Sequence, residues 1–269
     1  MLTHNQLRIT RKDVVLTRLP AAFDGLRIVQ VSDLHFYRYS PPEFFSRVVK
    51  EVNALAADVL VMTGDVIHYG NDHLDLAARY LEPMTAALGK FGIIGNHDYC
   101  DGARSAHVEK MLVDSGFSVL RNANTALERS GERLWFAGID DLWHGAPDLW
   151  QTLARIPIET EPVVLLAHNP LMFDPARYYP HGMVDLTISG HTHAGHVYLP
   201  FLGPVYRYML SHKYRYGLYE KDGRQLYVTS GVGSAAFYFK IGKNGLCLPP
   251  FRFNTHPEIA VLTLRRKAG

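Results

Sequence analysis

Five short polar motifs, each directly after an apolar run, constrain the fold of this chain more than any other feature. They are Asp33-Leu34-His35, Gly64-Asp65, Gly95-Asn96-His97-Asp98, Ala167-His168-Asn169 and Gly190-His191-Thr192-His193. Motifs so far apart in sequence can meet only if each apolar run is a strand and all the strands end at one rim. Open α/β sheets place their binding sites at this rim. The motifs therefore predict an α/β fold with a polar site at the carboxyl ends of its strands.

The pattern between the motifs predicts the rest of the architecture. Strands are predicted at residues 26–31, 59–62, 91–94, 125–128, 133–138, 162–167, 184–189, 226–229 and 259–264. Helices are predicted after Pro41-Pro42 and across residues 74–84, where Pro83 marks a kink or a break. The strand–helix–strand alternation of the first half predicts parallel pairing with right-handed crossovers. The many short strands of the second half predict a second sheet packed on the first, and we expect one domain spanning residues 1–269.

The residue types in the motifs indicate a metal site. Carboxylates, an amide and imidazoles without thiolates suit borderline divalent ions such as Mn²⁺, Fe or Zn²⁺. Each residue alone has a plainer interpretation: Asp65 as a turn or helix-capping residue, Asn96 as a turn residue, and His168 as a hydrogen-bonded core histidine. Together they are too many for one tetrahedral ion and about enough for two. The five motifs as a set therefore predict a two-metal hydrolase.

Composition sets limits on partners and location. The formal charge of +2 on 269 residues does not favour nucleic acid as a partner, and no obligate protein partner is evident. Cys100 and Cys247 are the only cysteines, so neither a disulfide framework nor a thiolate zinc site is indicated. The first thirteen residues contain no apolar leader segment, and no apolar run reaches the ~18 residues that span a bilayer. We expect a cytoplasmic protein, or one peripheral to the inner membrane.

The order and content of the five motifs resemble those of the calcineurin-like metallophosphoesterase family, over residues 26 to about 233. Residues 23–35 and 216–219 are similar to a bacterial branch that includes cell-wall-associated phosphodiesterases and UDP-2,3-diacylglucosamine hydrolases. The resemblance implies a four-layer α/β/β/α sandwich of two mixed sheets, with a dinuclear metal site at the strand ends. It also implies hydrolysis of a phosphoester or pyrophosphate bond by a hydroxide that bridges the two metals.

The resemblance assigns roles to the motif residues. It implies a first ion bound by Asp33, His35, Asp65 and His193, and a second bound by Asp65, Asn96, His168 and His191. His97 matches the family's catalytic histidine, which contacts the phosphoryl group and would protonate the leaving oxygen. Asp98 stands where many relatives have glutamate, and would orient His97. His196 stands where this branch has glutamine, as a substrate contact or as a hydrogen-bonded neighbour of the ligands.

The expected substrate is a small-molecule or lipid-linked phosphate of the cell envelope, such as UDP-2,3-diacylglucosamine. Residues 197–219 are rich in tyrosine and carry Arg207, Lys213 and Arg215, a combination that suits a sugar-nucleotide or tyrosines at strand edges. A general phosphodiesterase or nuclease of the same fold, and a metal-binding scaffold without catalysis, are the alternatives. The other histidines, among them His68, are expected at the surface or in loops.

The aromatic residues near the end of the chain give one further prediction. Residues 237–253 contain Asn244-Gly245 between apolar runs, which predicts a hairpin turn at that dipeptide. The hairpin would present Phe237 and Phe239 as a flap at a lipid–water interface. The alternative is that these aromatics fill the edge of the core.

Overall fold

The computed structural model of the protein describes residues 6–68, 73–99, 104–176, 184–199, 201, 203–204, 213–234, 237–241, 244–248 and 252–267. The strands are β1 (Arg8–Leu16), β2 (Arg27–Val31), β3 (Val59–Thr63), β4 (Gly89–Ile93), β5 (Ser118–Val119), β6 (Ala123–Arg129), β7 (Glu132–Gly138), β8 (Val163–Leu166), β9 (Leu186–Ser189), β10 (Tyr198–Leu199), β11 (Gly203–Pro204), β12 (Gly217–Lys221), β13 (Arg224–Val228), β14 (Phe237–Ile241), β15 (Asn244–Leu248) and β16 (Glu258–Arg266). The helices are α1 (Pro42–Ala54), α2 (Leu74–Leu81), α3 (Arg104–Asp114), α4 (Leu149–Thr152) and α5 (Phe173–Ala176).

Two six-stranded mixed sheets form the centre of the molecule. The first has the order β1-β16-β2-β3-β4-β5, and the second the order β12-β13-β9-β8-β7-β6. In the first sheet β2, β3, β4 and β5 pair in parallel, while β16 runs antiparallel to β2. In the second sheet β7, β8, β9 and β13 are parallel, and β6 and β12 are antiparallel edge strands. The parallel strands of both sheets therefore bring their carboxyl ends to one rim.

Alternation along the strands separates three apolar layers. In β3, Val59 and Val61 lie between the sheets and pack with residues of the second sheet such as Phe136 and Val164. The alternate residues, Leu60 and Met62, face the opposite side and pack against α1, α2 and α3. The outer face of the second sheet packs against the shorter α4 and α5 region, through residues such as Leu153, Met172 and Ala176. The predicted α/β/β/α sandwich of two mixed sheets is confirmed.

The local predictions are confirmed in most places. The β6–β7 hairpin turns at Ser130 and Gly131, whose φ angles of 54° and 77° are those that a two-residue hairpin turn requires. Helix α2 ends at Leu81, two residues before Pro83, so this proline follows the helix rather than kinking it. Helix α1 begins at the Pro41-Pro42 pair as predicted, and it ends at Ala54, just before Ala56 adopts a left-handed conformation with φ 46°.

Several elements were not predicted, among them β1, α3 and β5, and one prediction is wrong. Strand β1 has a mostly polar pattern, and it pairs in parallel with β16 at the edge of the first sheet. Residues 237–248 do form a hairpin, but Ile241 pairs with Asn244, which places Asn244 and Gly245 inside β15 rather than in the turn. The side chains of Phe237 and Phe239 lie outside the described part of the structure, so the flap stays a prediction.

Within the described residues, none of the helices combines the length and the apolar character that crossing a membrane requires.

Candidate metal centre

All five motifs meet at the rim formed by the carboxyl ends of the parallel strands. Backbone hydrogen bonds hold neighbouring motifs together: the Asp33 amide donates to the Gly64 carbonyl at 2.9 Å, and the Gly190 amide to the His168 carbonyl at 3.1 Å. The seven predicted ligands are all buried, and the most exposed of them, Asn96, has 8% of its surface accessible. The structure therefore brings together the whole predicted ligand set, at the place that the sequence indicated.

The backbone of these motifs is not that of a regular strand, on which two residues at i and i+2 would share a face. Strand β2 ends at Val31, and Asp33 and His35 both adopt left-handed φ angles, 52° and 47°. His191 and His193, after β9, have φ angles of 71° and 48°. Left-handed backbone is unfavourable for such residues and is concentrated at functional sites. Both pairs, Asp33 with His35 and His191 with His193, thus reach the cluster from sharp turns, and not because alternate residues of a strand share a face.

Two glycines allow the motifs to approach one another closely. A Cβ atom at Gly190 would collide with the side chains of Ser32 and Asp33. A Cβ atom at Gly95 would collide with the backbone and carboxylate of Asp65. Glycine is required at both positions because a backbone segment lies directly against a ligand residue.

The first group of ligand atoms comes from Asp33, His35 and His193, whose donor atoms all lie within 4.8 Å of one another. Nε2 of His35 and Nε2 of His193 are 2.9 Å apart, and Oδ1 of Asp33 is 3.5 Å from Nε2 of His193. Ligand atoms bound to one ion at about 2.1 Å are about 3 Å apart, so this spacing suits a single ion.

The second group comes from Asp65, His168 and His191, with Asn96 beside them. Oδ1 of Asn96 is 3.0 Å from Nε2 of His168 and 2.8 Å from Nδ1 of His191. These two ring nitrogens are 3.2 Å apart. The four side chains thus present one oxygen or nitrogen each toward a common point.

Asp65 links the two groups through one oxygen atom. Its Oδ2 lies 3.6 Å from Nε2 of His35 in the first group and 3.2 Å from Nε2 of His168 in the second. Its Oδ1 accepts a hydrogen bond from the His97 amide at 2.8 Å. Since Oδ1 is held in this way, Oδ2 is the oxygen that faces both groups.

The hydrogen-bond chemistry of the second group fits a cation. Nδ1 of His168 lies 2.8 Å from the Thr63 carbonyl, which only accepts, so Nδ1 carries a proton and Nε2 is the nitrogen that faces the other ligand atoms. These are oxygens of Asp65 and Asn96. Burial favours the neutral ring, but the carboxylates of Asp65 and Asp33 more than offset it and raise the pKa of His168 to about 10. The cluster thus draws positive charge to the point that a metal ion would occupy.

The remaining imidazoles are held in their neutral, ligand-competent form. Burial, together with the surrounding histidines, holds the pKa of His35 and of His193 well below the usual range. Burial and the charge of His168 lower the pKa of His191 to about 3. Because a metal binds the neutral ring, these residues need to lose no proton when an ion enters.

His97 stands at the edge of the cluster and is partly exposed. Its ring makes an edge contact with His35, with centroids 4.7 Å apart, and its Nδ1 lies 3.3 Å from the His68 carbonyl. Asp98 does not have the orienting role that the sequence assigned to it. Its carboxylate accepts hydrogen bonds from the amides of Gly95, Val66 and Ile67, so it fixes the loops around the site instead of the His97 ring.

His68 is the functional candidate that the sequence analysis missed. It is 3% exposed, its Nδ1 lies 3.3 Å from Nδ1 of His35, and its ring stacks on His97 with centroids 5.1 Å apart. The chain after Asp65 continues beside the chain after Asp33, because Phe36 and Ile67 form a parallel bridge. A histidine three residues after Gly64-Asp65 was the available signal, and only this pairing shows that it reaches the site.

Arg252, also not predicted, lies behind the first group. It is fully buried, its Nη2 is 3.1 Å from Nδ1 of His193, and the same nitrogen donates to the carbonyl of Ser230 at 2.7 Å. Burial lowers the pKa of Arg252 to about 10, against the opposing effect of Asp33 and Glu258. The guanidinium therefore remains charged near neutral pH and partly balances the carboxylates of the cluster.

The predicted substrate residues divide into three cases. His196 is buried beside the first group, with its ring centroid 4.0 Å from that of His193. Lys213 forms an exposed ion pair with Asp174, and Arg215 donates to the Ala194 carbonyl and lies over the Tyr198 ring. Arg207 lies outside the described residues.

An exposed aromatic side chain flanks the second group. Trp143 is 47% exposed, and its ring makes an edge contact with His191, with centroids 4.3 Å apart. The carboxylate of Asp141 accepts hydrogen bonds from the amides of Trp143 and His144, which fixes the loop that carries the indole. The sequence alone did not distinguish Trp143 from other surface aromatics.

Comparisons with known proteins agree with this geometry. The model of the calcineurin-like phosphoesterase family matches residues 26–195. The chain is 32% identical over 267 residues to the uncharacterized metallophosphoesterase YkuE of Bacillus subtilis, a match covering 98% of this chain and 87% of YkuE. It is 27% identical to the phosphodiesterase YaeI of Escherichia coli, covering 88% of this chain and 82% of YaeI. It is also 27% identical to the UDP-2,3-diacylglucosamine pyrophosphatase LpxG of Chlamydia muridarum, covering 86% of this chain and 85% of LpxG.

Proposed function

The chain belongs to the calcineurin-like phosphoesterase family, a family of metal-dependent hydrolases, and from this premise we propose that it cleaves a phosphodiester or pyrophosphate bond of a cell-envelope or lipid-precursor molecule such as UDP-2,3-diacylglucosamine. The observation that carries the proposal is the pair of ligand groups joined by Oδ2 of Asp65. Two adjacent cations form a clamp on a phosphoryl group, and a shared carboxylate oxygen is what holds such a pair together.

In this proposal each ion has its own set of ligands. The first ion is bound by Asp33, His35, Asp65 and His193, and the second by Asp65, Asn96, His168 and His191. The oxygen and nitrogen donors, without thiolate, suit Mn²⁺, Zn²⁺ or Fe. When bound, the ions would activate water as a nucleophile by lowering its pKa and would neutralise the phosphoryl oxygens.

The chain's own residues supply the rest of the chemistry. His97 is partly exposed beside His35, so it can contact the phosphoryl group and donate a proton to the leaving oxygen. Its backbone is fixed by the hydrogen bond from its amide to Asp65. Asp98 keeps the Gly95 and Val66 loops in register, and His168 is held in one tautomer by the Thr63 carbonyl. The ligands therefore need little rearrangement for the reaction.

The substrate class rests on the relatives and on the surroundings of the ions. LpxG is named as a pyrophosphatase for UDP-2,3-diacylglucosamine and YaeI as a phosphodiesterase, and both bonds join two substituents through phosphate. Trp143 offers a planar surface beside the second group, where a base or sugar ring could stack. A general phosphodiesterase of the same fold is the second candidate, favoured by the name of YaeI.

The experiment is a substrate comparison with metal-loaded protein. Protein reconstituted with Mn²⁺, Zn²⁺ or Fe²⁺ is assayed on UDP-2,3-diacylglucosamine, bis(p-nitrophenyl) phosphate, p-nitrophenyl phosphate and a short oligonucleotide. The proposal predicts the highest kcat/KM on the UDP-linked acyl sugar, clear turnover of the diester, and no turnover after chelation. Preference for the oligonucleotide or the monoester would contradict the substrate assignment, and no turnover of any compound would contradict the proposed hydrolysis.

A further inference from the structure

An open cleft adjoins the first ligand group. His35 lines one end of it, and its walls are formed mainly by Tyr37, Phe44, Phe45 and Val232. The cleft is therefore continuous with the candidate metal centre on the side of the first ion, away from the motifs of the second group. Its walls are aromatic and aliphatic, in contrast to the carboxylates and imidazoles next to it.

The walls of the cleft are fixed to the motif that carries the ligands. Phe44 and Phe45 lie in the first turn of α1, where their rings contact each other with centroids 5.3 Å apart. On the opposite side, the Val232 amide donates to the Ser32 carbonyl at 2.9 Å, and the Gly233 amide to the Asp33 carbonyl at 2.8 Å. A Cβ atom at Gly233 would collide with the Leu34 backbone, so this segment lies as close to the Asp33-Leu34-His35 motif as the chain allows. The cleft is thus preformed relative to the metal centre.

The two serine hydroxyls that line the cleft are already engaged. The hydroxyl of Ser40 accepts a hydrogen bond from the Tyr37 amide at 3.0 Å, and that of Ser234 accepts one from Nε of Arg252 at 3.1 Å. No carboxylate or amide side chain is among the described residues that line it. A nucleobase would lose hydrogen bonds to water in such a place without replacing them, whereas an alkyl chain loses none.

We propose that this cleft binds an alkyl or acyl chain of the substrate while the phosphoryl group lies against the metal centre. The inference rests on the proposed function and adds to it the side of the site that receives the apolar substituent. With Trp143 flanking the second group, the two substituents of a diester or pyrophosphate would leave the phosphoryl group in opposite directions: the apolar one past His35, and the other past His191.

The test uses n-alkylphosphonates from methyl to octyl as probes that cannot be hydrolysed. Their inhibition constants are measured against bis(p-nitrophenyl) phosphate with the metal-loaded protein, and their dissociation constants by calorimetry. Each methylene that enters the cleft should tighten binding by up to about fourfold, and the octyl compound should bind roughly 10²-fold more tightly than the methyl compound. Equal affinity along the series would overturn the proposal. Tighter binding of phenylphosphonate than of hexylphosphonate would show that a ring occupies the cleft, and would also overturn it.

Matched variants locate the effect. Phe44→Asn removes an apolar wall without adding charge, and Tyr37→Asn does the same at a half-buried position that tolerates substitution better. Either variant should lose at least half of the dependence of binding on chain length. Tyr39→Asn is the control, because Tyr39 lies in the same segment but is 71% exposed and does not line the cleft. Chain-length dependence that persists in both wall variants would contradict the assignment.

The two proposals fail in different ways. If none of the four compounds is hydrolysed, the proposed function fails, while calorimetry with the phosphonates still tests the cleft. If the diester is hydrolysed but chain length has no effect on phosphonate binding, the cleft assignment fails and the proposed function stands.

Discussion

The two ligand groups resemble each other in their donor atoms but differ in what surrounds them. The first group, Asp33, His35 and His193, has its own carboxylate and lies between His68, the buried Arg252 and the apolar cleft. The second group, Asp65, His168 and His191, has Asn96 as its additional donor and is flanked by the exposed ring of Trp143.

The difference in charge follows directly from these neighbours. With Asp65 counted for both, the first group has two carboxylates and the second has one. The guanidinium of Arg252, 3.1 Å from His193, offsets part of the additional negative charge of the first group. The second group has no such cation among its described contacts, and its neutral Asn96 keeps its charge low. Two ions bound in these groups would therefore experience more similar net charges than the ligand residues alone would indicate.

The residues that would bind metal and the residues that would contact substrate come from different segments of the chain. The ligands come from strand ends that both sheets direct to one rim. The cleft and the indole come instead from the first turn of α1 and from a loop after β7.

The largest effect is expected at the link between the groups. Asp65→Asn should lose about one ion per chain and nearly all hydrolysis, a fall of roughly 10³-fold or more, because a neutral amide cannot replace a shared carboxylate. Metal analysis and kcat measure this. Asp75→Asn, the same change at an exposed position of α2, is the control. Two ions and near-normal turnover in Asp65→Asn would contradict the bridging role.

The second-largest effect is expected at His97, which is not a proposed ligand of either ion. His97→Ala should keep both ions and lose about 10²–10⁴-fold in turnover, because it removes a proton donor and no ligand. The loss should be smaller for p-nitrophenyl esters, whose leaving group needs no proton. Metal content and the ratio of the two losses are the readouts, and loss of an ion would show that His97 is a ligand.

A smaller effect should be confined to the first group. His68 contacts His35 through their Nδ1 atoms, so His68→Ala should weaken the binding of the first ion by about 10- to 100-fold and leave the second unchanged. A calorimetric metal titration that resolves two sites measures both constants. His107→Ala, on the exposed face of α3, serves as the reference. Equal weakening at both sites would contradict the expectation that His68 supports the first group alone.

The smallest effect is expected beside the second group. Trp143→Ala should raise KM for the UDP-linked substrate by about threefold to tenfold with little change in kcat, since stacking contributes to binding alone. Trp150→Ala offers a matched control, because Trp150 is also exposed and lies seven residues further along the chain. If both variants behave alike, Trp143 has no special place in substrate binding.

How much of the candidate site could be predicted from the sequence depends on where in the chain each residue lies. Asp33, Asp65 and His168 follow buried apolar strands, and this pattern predicts both the strand and the rim. His68 has no such signal, because its position depends on the parallel bridge between Phe36 and Ile67. The prediction that Asp98 orients His97 was wrong for a similar reason. The backbone amides of Val66 and Ile67 that donate to Asp98 lie in the loop after β3, which is not the strand that precedes Asp98.

The parts of the fold that could not be predicted from the sequence have comparable causes. Strand β1 was missed because its polar pattern reflects an edge strand, whose only neighbour in the sheet is β16 from the far end of the chain. The turn expected at Asn244-Gly245 lies elsewhere because pairing, rather than local preference, sets the register of β14 and β15. Arg252 reaches His193 across 59 residues, a contact that no local pattern encodes.

The central claim is that two ions bind side by side and share Asp65. A crystal of the Mn²⁺-loaded protein, measured at the manganese absorption edge, tests it directly. The account predicts two anomalous peaks about 3.5–4 Å apart, one among Asp33, His35 and His193 and the other among Asn96, His168 and His191, with Asp65 between them. A single peak, or a second peak away from Asp65, would contradict it.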